Sequence, residues 1–380
     1  MTKEKPVVLA VDDTPENLDV VKGILTPEYK VKVATNGSMA LKIAEKQPPD
    51  IILLDIMMPE MDGYEVCRQL KSNPGTSDIP VIFLTAKDQT DDEAKGFDLG
   101  AADYITKPVN PPILHARVKT HLSLKQSMDA LANTKKRMED ELNIGRDIQI
   151  GMLPIDFPVS PHFSLDASMQ AAKELGGDFY DFFPMGDNEY VFCVADVSDK
   201  GVASALFMSV TKAFIKSRSR EVNSTSEVVT WVNNEIAQGN DSCMFITLFI
   251  AILDTSTGQV RYTNAGHNPP YVRKANGEVL CITDHHGPMV GAMGGIDYGE
   301  TTLQLNRGDS MVLFTDGVTE AMNHDKELYG ESRLEALLEA SQSGAPQELV
   351  KDIRDAVRTH AAGADQSDDI TILVFNYTGD

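Results

Sequence analysis

The sequence predicts a multidomain protein in which a doubly wound α/β domain is followed by a long helix and then by an α+β domain. Strand and helix patterns alternate five times in the first third of the chain, which is typical of a parallel sheet. The next stretch, from about Ile113 to Met152, contains no proline and two glycines, Gly145 and Gly151. Beyond it, strand patterns cluster and helices are fewer. We therefore expect domains at 1–124 and 153–380, with a helical linker at 125–152.

The first domain shows a pattern of five strand–helix pairs. The predicted strands are Val7–Val11, Val31–Ala34, Ile51–Leu54, Val81–Leu84 and Asp103–Ile105. The predicted helices are Pro15–Leu25, Ser38–Glu45, Gly63–Lys71, Asp91–Leu99 and one that starts after Pro111 and Pro112. This alternation predicts helices on both faces of the sheet, with ligands bound at the carboxyl ends of the strands.

The linker carries a heptad-like pattern. Steps of four and three connect Leu124, Met128, Leu131, Lys135, Met138 and Leu142. Lys135 interrupts the apolar seam and Gly145 falls on it, so any coiled coil is short and imperfect. A lone solvent-exposed helix is the alternative, but the pattern favours a linker that pairs in a homodimer.

The last domain follows a stretch punctuated by Pro154, Pro158 and Pro161. Its predicted strands are Tyr190–Ala195, Phe245–Leu253, Val260–Thr263, Tyr271–Arg273, Thr301–Leu305, Met311–Phe314 and Thr371–Phe375. Its predicted helices are Ala203–Lys216, Ser226–Glu235, Ser332–Leu338 and Pro346–His360. Clustered strands with interspersed helices predict stacked β-sheets flanked by helices.

Composition and charge limit the partners. The formal net charge of −23 argues against nucleic acid or an anionic membrane surface as a partner. The acidity fits cation binding, although many soluble domains are acidic without it. Four widely spaced cysteines predict free thiols in a reducing cytosol. The segment MTKEKPVV lacks the apolar core of a signal peptide, and the longest apolar run is too short to cross a bilayer as a helix. We therefore expect a cytoplasmic protein.

Three carboxylates converge in the first domain. Asp12 and Asp13 follow the first strand and Asp55 follows the third, so they meet at one edge of a parallel sheet. They cannot all ionise together unless a cation neutralises them, and hard cations such as Mg²⁺ prefer oxygen ligands. Thr85 and Lys107 end the fourth and fifth strands. This set suits phosphoryl transfer to a carboxylate nucleophile.

The motifs VDD, LLDIMMPEMDG, LTA and YITKP, in this order, resemble those of a response-regulator receiver domain. The resemblance extends from Pro6 to about Leu124 and implies a flavodoxin-like fold in which Asp55 is the phosphoacceptor. It also implies that Mg²⁺ is held by Asp12, Asp13, Asp55 and the backbone carbonyl of Met57.

By the same resemblance, Thr85 and Lys107 contact the phosphoryl group and Tyr104 is the switch aromatic. A tyrosine in a strand is often only a packing residue, and for Tyr104 that alternative stays open. A sensor histidine kinase is the implied phosphodonor.

A second set of carboxylates flanks strands of the last domain. Asp196 is predicted to end a strand in VFCVAD, Asp316 to end another in FTDGV, and Asp178 follows two glycines in ELGGDFYDFF. Asp368 and Asp369 precede the last strand. Each alone could be a turn residue, but four such sites in one domain point to Mg²⁺ or Mn²⁺. Two such ions can activate a water for attack on phosphorus.

Neighbouring residues carry weaker signals. Gly177 and Gly317 would let the backbone approach closely. His267 in NAGHNPP is a candidate ligand or acid, although a turn before two prolines is the favoured interpretation. GGDFYDFF is not a phosphate-cradling loop, because no Lys-Ser/Thr follows it.

The motifs IQIGMLP, ELGGDFYDFF, VADVSDKGVASALFMS, NAGHNPP, FTDGVTEAMN and SDDITILVF resemble a PPM-type serine/threonine phosphatase of the SpoIIE-like, stress-response-regulator branch. The resemblance extends from about Ile148 to Phe375 and implies two Mn²⁺ or Mg²⁺ ions. The implied ligands are Asp178, Asp196, the Val197 carbonyl, Asp316 and Asp368, with Asp369 as a secondary candidate.

The sequence departs from this family at two positions. Asp199 stands where many relatives have glycine, which adds charge near the expected metals. Lys173 stands where arginine is common, which weakens bidentate phosphate contact.

Together these patterns predict a two-component output protein whose phosphatase acts on phosphoserine or phosphothreonine. The resemblance implies a STAS-type anti-sigma-factor antagonist as its substrate. Two alternatives remain: a phosphorylation-gated binding module that has lost turnover, and a dimeric scaffold.

Overall fold

A computed structural model describes residues 5–86 and 96–379. The chain forms two compact units, Met1–Met138 and Glu139–Asp380. The boundary between them falls inside a helix, and the predicted domain limits at 124 and 152 stay predictions. Most of the predicted helix Asp91–Leu99 lies outside the described residues.

The first unit contains the predicted parallel sheet. Its strands are β1 (Val7–Val11), β2 (Lys30–Ala34), β3 (Ile51–Asp55), β4 (Val81–Thr85) and β5 (Asp103–Thr106), in the order β2-β1-β3-β4-β5. The helices of this unit whose two ends lie among the described residues are α1 (Pro15–Leu25), α2 (Gly37–Lys46) and α3 (Gly63–Ser72). A fourth helix, α4 (Pro111–Met152), begins in this unit. The doubly wound fold is therefore confirmed.

Alternation along β1 shows why both faces of this sheet are buried. Leu9 and Val11 belong to one apolar core, while Val8 and Ala10 belong to the core on the opposite face. Successive side chains of a strand point to opposite faces, so a continuous apolar run needs cover on both sides.

Helix α4 is 42 residues long and begins at the predicted pair of prolines. Its first turns pack into the core of the first unit through Leu114, Val118 and Leu122. Farther along, the seam residues Met128 and Leu131 are 63% and 71% exposed. These seam residues are thus uncovered within the chain, and coiled-coil pairing stays a prediction.

The second unit contains two antiparallel five-stranded sheets. The first has the order β13-β10-β9-β8-β7 and the second β12-β11-β14-β15-β6. The strands are β6 (Phe163–Gln170), β7 (Phe179–Met185), β8 (Glu189–Val197), β9 (Ile246–Asp254), β10 (Gln259–Ala265), β11 (Tyr271–Arg273), β12 (Val279–Cys281), β13 (Thr301–Gln304), β14 (Ser310–Phe314) and β15 (Ile370–Tyr377). The helices are α5 (Val202–Arg218), α6 (Thr225–Ala237), α7 (Asp316–Thr319), α8 (Glu331–Ala340) and α9 (Pro346–Ala361).

The two sheets pack face to face, as predicted. Phe192 of β8 and Phe375 of β15 stack between them with ring centroids 4.2 Å apart. Helices α5 and α6 contribute to the core of the first sheet, whereas α8 and α9 cover the outer face of the second.

Three strands, β6, β7 and β12, are absent from the sequence prediction. Polar residues interrupt the apolar pattern of β6. Strand β7 contains Pro184 as its next-to-last residue, where a missing backbone N–H removes little of the strand pairing. Strand β12 has only three residues and none is buried. Pairing with neighbouring strands, rather than local pattern, forms these three strands.

Two further predictions concern the whole chain. Cys67 and Cys193 are buried and Cys243 and Cys281 are exposed, all as free thiols. Among the residues described, no helix has the length and apolar character needed to cross a membrane.

Candidate phosphoacceptor and metal sites

The carboxylates of the first unit lie together, as predicted. Asp12 lies one residue beyond β1 and Asp55 is the last residue of β3; both are buried, whereas Asp13 is exposed. Oxygen atoms of the three residues lie within 4.8 Å of one another. Within residues 5–86 and 96–379, no other three His, Cys, Asp or Glu side chains meet that distance.

Lys107 neutralises part of this charge. Its Nζ lies 2.7 Å from Asp12 Oδ2 and 2.7 Å from Asp55 Oδ1. Burial raises the pKa of Asp55, although the hydrogen bond and charge of Lys107 and the backbone amide of Met57 oppose that rise. Burial lowers the pKa of Lys107, but its bonds to both aspartates leave that pKa raised. The ammonium of Lys107 is therefore held in its charged form between the two carboxylates.

Asn17 belongs to this site although the sequence analysis missed it. Its Nδ2 donates to both oxygens of Asp12, at 3.0 and 3.1 Å. The backbone N–H of Thr14 also donates to Asp12 Oδ1, at 2.9 Å. These bonds orient the Asp12 carboxylate. An amide in the first turn of the helix that follows VDD was the available signal.

The other predicted receiver residues lie along neighbouring strands. Thr85 ends β4, is buried, and donates from Oγ1 to the Ala86 carbonyl at 3.2 Å. Tyr104 of β5 contacts Phe97 edge-on with ring centroids 6.0 Å apart. The guanidinium of Arg117 lies 5.6 Å from the Tyr104 ring centroid. Tyr104 thus connects strand β5 to helix α4.

Two acids of the second unit, Asp196 and Asp316, do not end strands as predicted. Asp178 and Asp369 directly precede β7 and β15. Asp196 lies inside β8, because β9 is long enough to pair with it at Thr247. Asp316 is the first residue of the short helix α7, two positions beyond β14.

Asp178 is the most buried of the predicted side-chain ligands. Its Oδ2 accepts a hydrogen bond from Thr315 Oγ1 at 2.7 Å. Burial raises its pKa well above the ordinary value, and the charges of Asp196 and Asp369 raise it further. A cation at this carboxylate would relieve both effects.

Asp369 holds the loop that carries Asp178. Its carboxylate accepts backbone N–H groups from Ala172 at 2.8 Å, Gly177 at 2.6 Å and Asp178 at 3.3 Å. With three amides already bonded to it, this carboxylate organises the loop. These bonds place the Asp369 carboxylate to position Asp178.

Two glycines permit close approach of the backbone. A Cβ at Gly317 would lie 1.9 Å from the Asp369 carbonyl oxygen, and a Cβ at Gly177 would lie 2.9 Å from the Val197 carbonyl oxygen. Side chains at these positions would push the acidic segments apart. The expected close approach is therefore present at both glycines.

Asp196 and Asp316 are also affected by neighbouring charge. Burial, followed by the charge of Asp316, raises the pKa of Asp196 to about 7. Burial, followed by the charge of Asp368, raises the pKa of Asp316 to about 6. Asp316 Oδ1 is buried and has no hydrogen-bond partner. An all-oxygen set with an unsatisfied buried oxygen fits a hard divalent cation.

Lys200 is a neighbour of these acids that the sequence analysis missed. Its Nζ lies 2.9 Å from Asp368 Oδ2 and also bonds to the Ser367 carbonyl. Its position four residues after Asp196, in VADVSDKG, was the available signal. One ammonium group does not balance the surrounding carboxylates, so the site keeps a net negative charge.

Three other residues singled out in the sequence, Asp199, Lys173 and His267, have the following surroundings. Asp199 has a φ of 65°, a left-handed conformation that glycine adopts freely and aspartate tolerates. Lys173 is exposed. His267 is buried, its Nδ1 lies 2.8 Å from Thr247 Oγ1, and its main chain bonds twice to Asn264. Burial lowers the pKa of His267 to about 4, so it is a neutral turn residue at pH 7.

Models of known protein families match sequence in both units of the chain. The family model for stage II sporulation protein E (SpoIIE) matches residues 186–378, half of the chain. The model for the response regulator receiver domain matches residues 8–119.

Curated relatives cover different lengths of the chain. Protein IcfG of Synechocystis is 32% identical over 61% of this chain and 41% of its own length. Phosphoserine phosphatase RsbU of Bacillus subtilis is 29% identical over 66% of this chain and 73% of its own length. The chain spans less than half the length of the first curated relatives that it matches.

A solved structure shares the fold of the second unit. The SiaA-PP2C domain of Pseudomonas aeruginosa matches 65% of this chain and 99% of its own length, with a TM-score of 0.56 and 21% identity. At that identity the likeness establishes the fold. Because the SpoIIE model matches half of the sequence, the chain belongs to the SpoIIE family, and it carries a response regulator receiver domain ahead of its SpoIIE domain.

Proposed function

We propose that this chain is a two-component response regulator whose output is metal-dependent dephosphorylation of phosphoserine or phosphothreonine on a partner protein. The observation that carries the proposal is the acidic cluster of the second unit, in which neighbouring aspartates repel one another and one buried oxygen of Asp316 has no hydrogen-bond partner. Membership of the SpoIIE family and likeness to a curated phosphoserine phosphatase support the reaction class.

The residues that would hold two Mn²⁺ or Mg²⁺ ions are Asp178, Asp196, Asp316, Asp368 and the Val197 carbonyl. Such ions would supply Lewis-acid activation of a water and compensation for charge on the phosphoryl oxygens. The protein's part is to hold the carboxylates in place. Thr315 and Asp369 orient Asp178, while Lys200 holds Asp368 at 2.9 Å.

In the first unit, Asp55 would accept a phosphoryl group from a sensor histidine kinase with Mg²⁺ at Asp12, Asp13, Asp55 and the Met57 carbonyl. Lys107, already bonded to Asp55, is placed to bind an oxygen of the transferred group. Thr85 and Tyr104 would then respond to that group.

The substrate we propose is a phosphorylated STAS-type anti-sigma-factor antagonist, which dephosphorylation would free to bind its anti-sigma partner. Support comes from the family resemblance and from the likeness to RsbU. The exposed seam of α4 supports a homodimer in which paired helices carry the signal from Asp55.

The first prediction tests the metal site. Asp196→Asn should reduce Mn²⁺-dependent hydrolysis of an aryl phosphate by two or more orders of magnitude, because a ligand is lost. Turnover is measured at saturating Mn²⁺, with the exposed Asp187→Asn as the matched control. Near-normal turnover of Asp196→Asn would remove it from the site, and an inactive wild type would favour the binding module.

The second prediction concerns pH. A raised carboxyl pKa means that the folded state keeps a proton that the unfolded chain has lost, so stability falls as pH rises from about 4 to about 7. In chelator, Asp196→Asn should therefore gain about 2–3 kcal/mol of unfolding free energy relative to wild type between pH 5 and pH 8. Urea unfolding followed through Trp231, the single tryptophan, measures this in the second unit.

Two features make this comparison specific. The low pKa of His267 has the opposite effect, with stability gained as pH rises to about 6.5, but it is common to both proteins and cancels. At saturating Mn²⁺ the wild type should be more stable than Asp196→Asn. A stability difference that does not change with pH would contradict the assignment.

The third prediction tests the phosphoacceptor. A small-molecule phosphodonor with Mg²⁺ should label the wild type, and Asp55→Asn should abolish the label because the nucleophile is gone. Asp19→Asn, which changes an exposed aspartate on α1, is the control and should label normally. The readout is acid-labile phosphate by mass spectrometry; label retained in Asp55→Asn would place the acceptor elsewhere.

The fourth prediction tests coupling through α4. Inserting two residues after Ala132 should rotate the following part of the helix by about 200°, so that activity no longer responds to beryllofluoride bound at Asp55. Basal Mn²⁺-dependent turnover should remain. An insertion of seven residues shifts the seam by only about 20° and is the matched control. A normal response in the two-residue variant would mean that the helix is only a tether.

A further inference from the structure

We propose that Gln149, in the last turn of α4, is a positioning residue for the predicted metal ligand Asp178; this inference rests on the proposed function. Gln149 is 5% exposed, although its neighbours Ile148 and Ile150 are 58% and 51% exposed. A polar side chain that is buried between two exposed apolar residues has a specific partner.

That partner is the backbone of Gly176. Gln149 Nε2 donates to the Gly176 carbonyl at 2.6 Å, and Gln149 Oε1 accepts the Gly176 N–H at 3.1 Å. One amide side chain thereby satisfies both polar groups of one buried residue. Asparagine is too short to keep the same reach from this position on the helix, and leucine satisfies neither group.

Gly176 lies two residues before Asp178 in the loop held by Asp369. The next two backbone amides, those of Gly177 and Asp178, donate to Asp369. The loop is therefore held from two sides, by Gln149 of α4 and by Asp369 before β15. Loss of either anchor leaves buried backbone groups unpaired, and the loop must shift to satisfy them.

Packing supports the same contact. A Cβ at Gly176 would lie 2.6 Å from Asp369 Oδ2, so only glycine lets the loop lie against that carboxylate. A Cβ at Gly145, one turn earlier on α4, would lie 3.5 Å from Leu175. The helix thus meets the loop at consecutive residues, Leu175 and Gly176.

The consequence concerns regulation of the proposed metal site. A rotation or shift of the end of α4 would move the Gln149 amide relative to Gly176, and Asp178 follows within two residues. Gln149 therefore makes metal binding at Asp178 sensitive to the position of α4.

The test compares Gln149→Leu with Gln126→Leu, which makes the same change at an exposed position of the same helix. All proteins are full length and carry Asp13→Asn, which weakens metal binding at the receiver. Calorimetry measures Mn²⁺ affinity, and aryl phosphate hydrolysis gives kcat and KM separately. Gln149→Leu should lose at least tenfold in Mn²⁺ affinity and in kcat at a fixed subsaturating Mn²⁺ concentration, with KM changed less than twofold.

A purely structural role would lower the melting temperature but leave the Mn²⁺ affinity of the folded protein unchanged, and that result would overturn the proposal. If Gln149→Leu does not fold, Gln149→Glu keeps the acceptor for the Gly176 N–H and loses the donor. That variant should show an intermediate loss of affinity, and an affinity within twofold of the Gln126→Leu control would overturn the proposal.

The proposed function can fail separately from this inference. A wild type that binds Mn²⁺ without hydrolysing aryl phosphate or a phosphoprotein would overturn the proposed function. The affinity comparison between Gln149→Leu and Gln126→Leu would still decide the role of Gln149.

Discussion

Mutual repulsion among neighbouring buried and half-buried carboxylates is the constraint on which the second unit depends. The pKa of each of three acids, Asp178, Asp196 and Asp316, is raised by the charge of at least one neighbouring aspartate. Such a cluster persists only if the surrounding structure holds it rigidly or a cation neutralises it. The stacked sheets provide the rigidity, since Phe192 and Phe375 pack face to face between strands that lead towards these acids.

The two units meet the same electrostatic problem in different ways. In the first, Lys107 contacts two of the three carboxylates at 2.7 Å, so the cluster carries its own counter-charge. In the second, Asp368 is the one carboxylate among the described residues that pairs with Lys200, and Asp316 retains a buried oxygen without a hydrogen-bond partner. The difference fits the proposed function, in which the receiver would bind one cation and accept a phosphoryl group and the second site would bind two cations.

Helix α4 contributes to both units. Its first turns are buried against the parallel sheet, and its last turns reach the loop that carries Asp178 through Gln149. Between these ends the seam around Met128 and Leu131 is exposed. A helix held at both ends by packing and hydrogen bonds, and uncovered in the middle, is suited to respond to pairing with a second copy.

Local patterns in the sequence were enough to predict the parallel fold, the stacked sheets and most of the acidic residues, because apolar periodicity and strand-end carboxylates are local signals. They did not reveal β6 and β7, whose polar residues and proline hide strands that form through pairing. They also assigned Asp196 and Asp316 to strand ends, although register with β9 and the start of α7 decide their places. That Asp369 anchors a loop and that Gln149 holds Gly176 emerged only from the folded chain, because each contact joins residues that are distant in sequence and carry no pattern of their own.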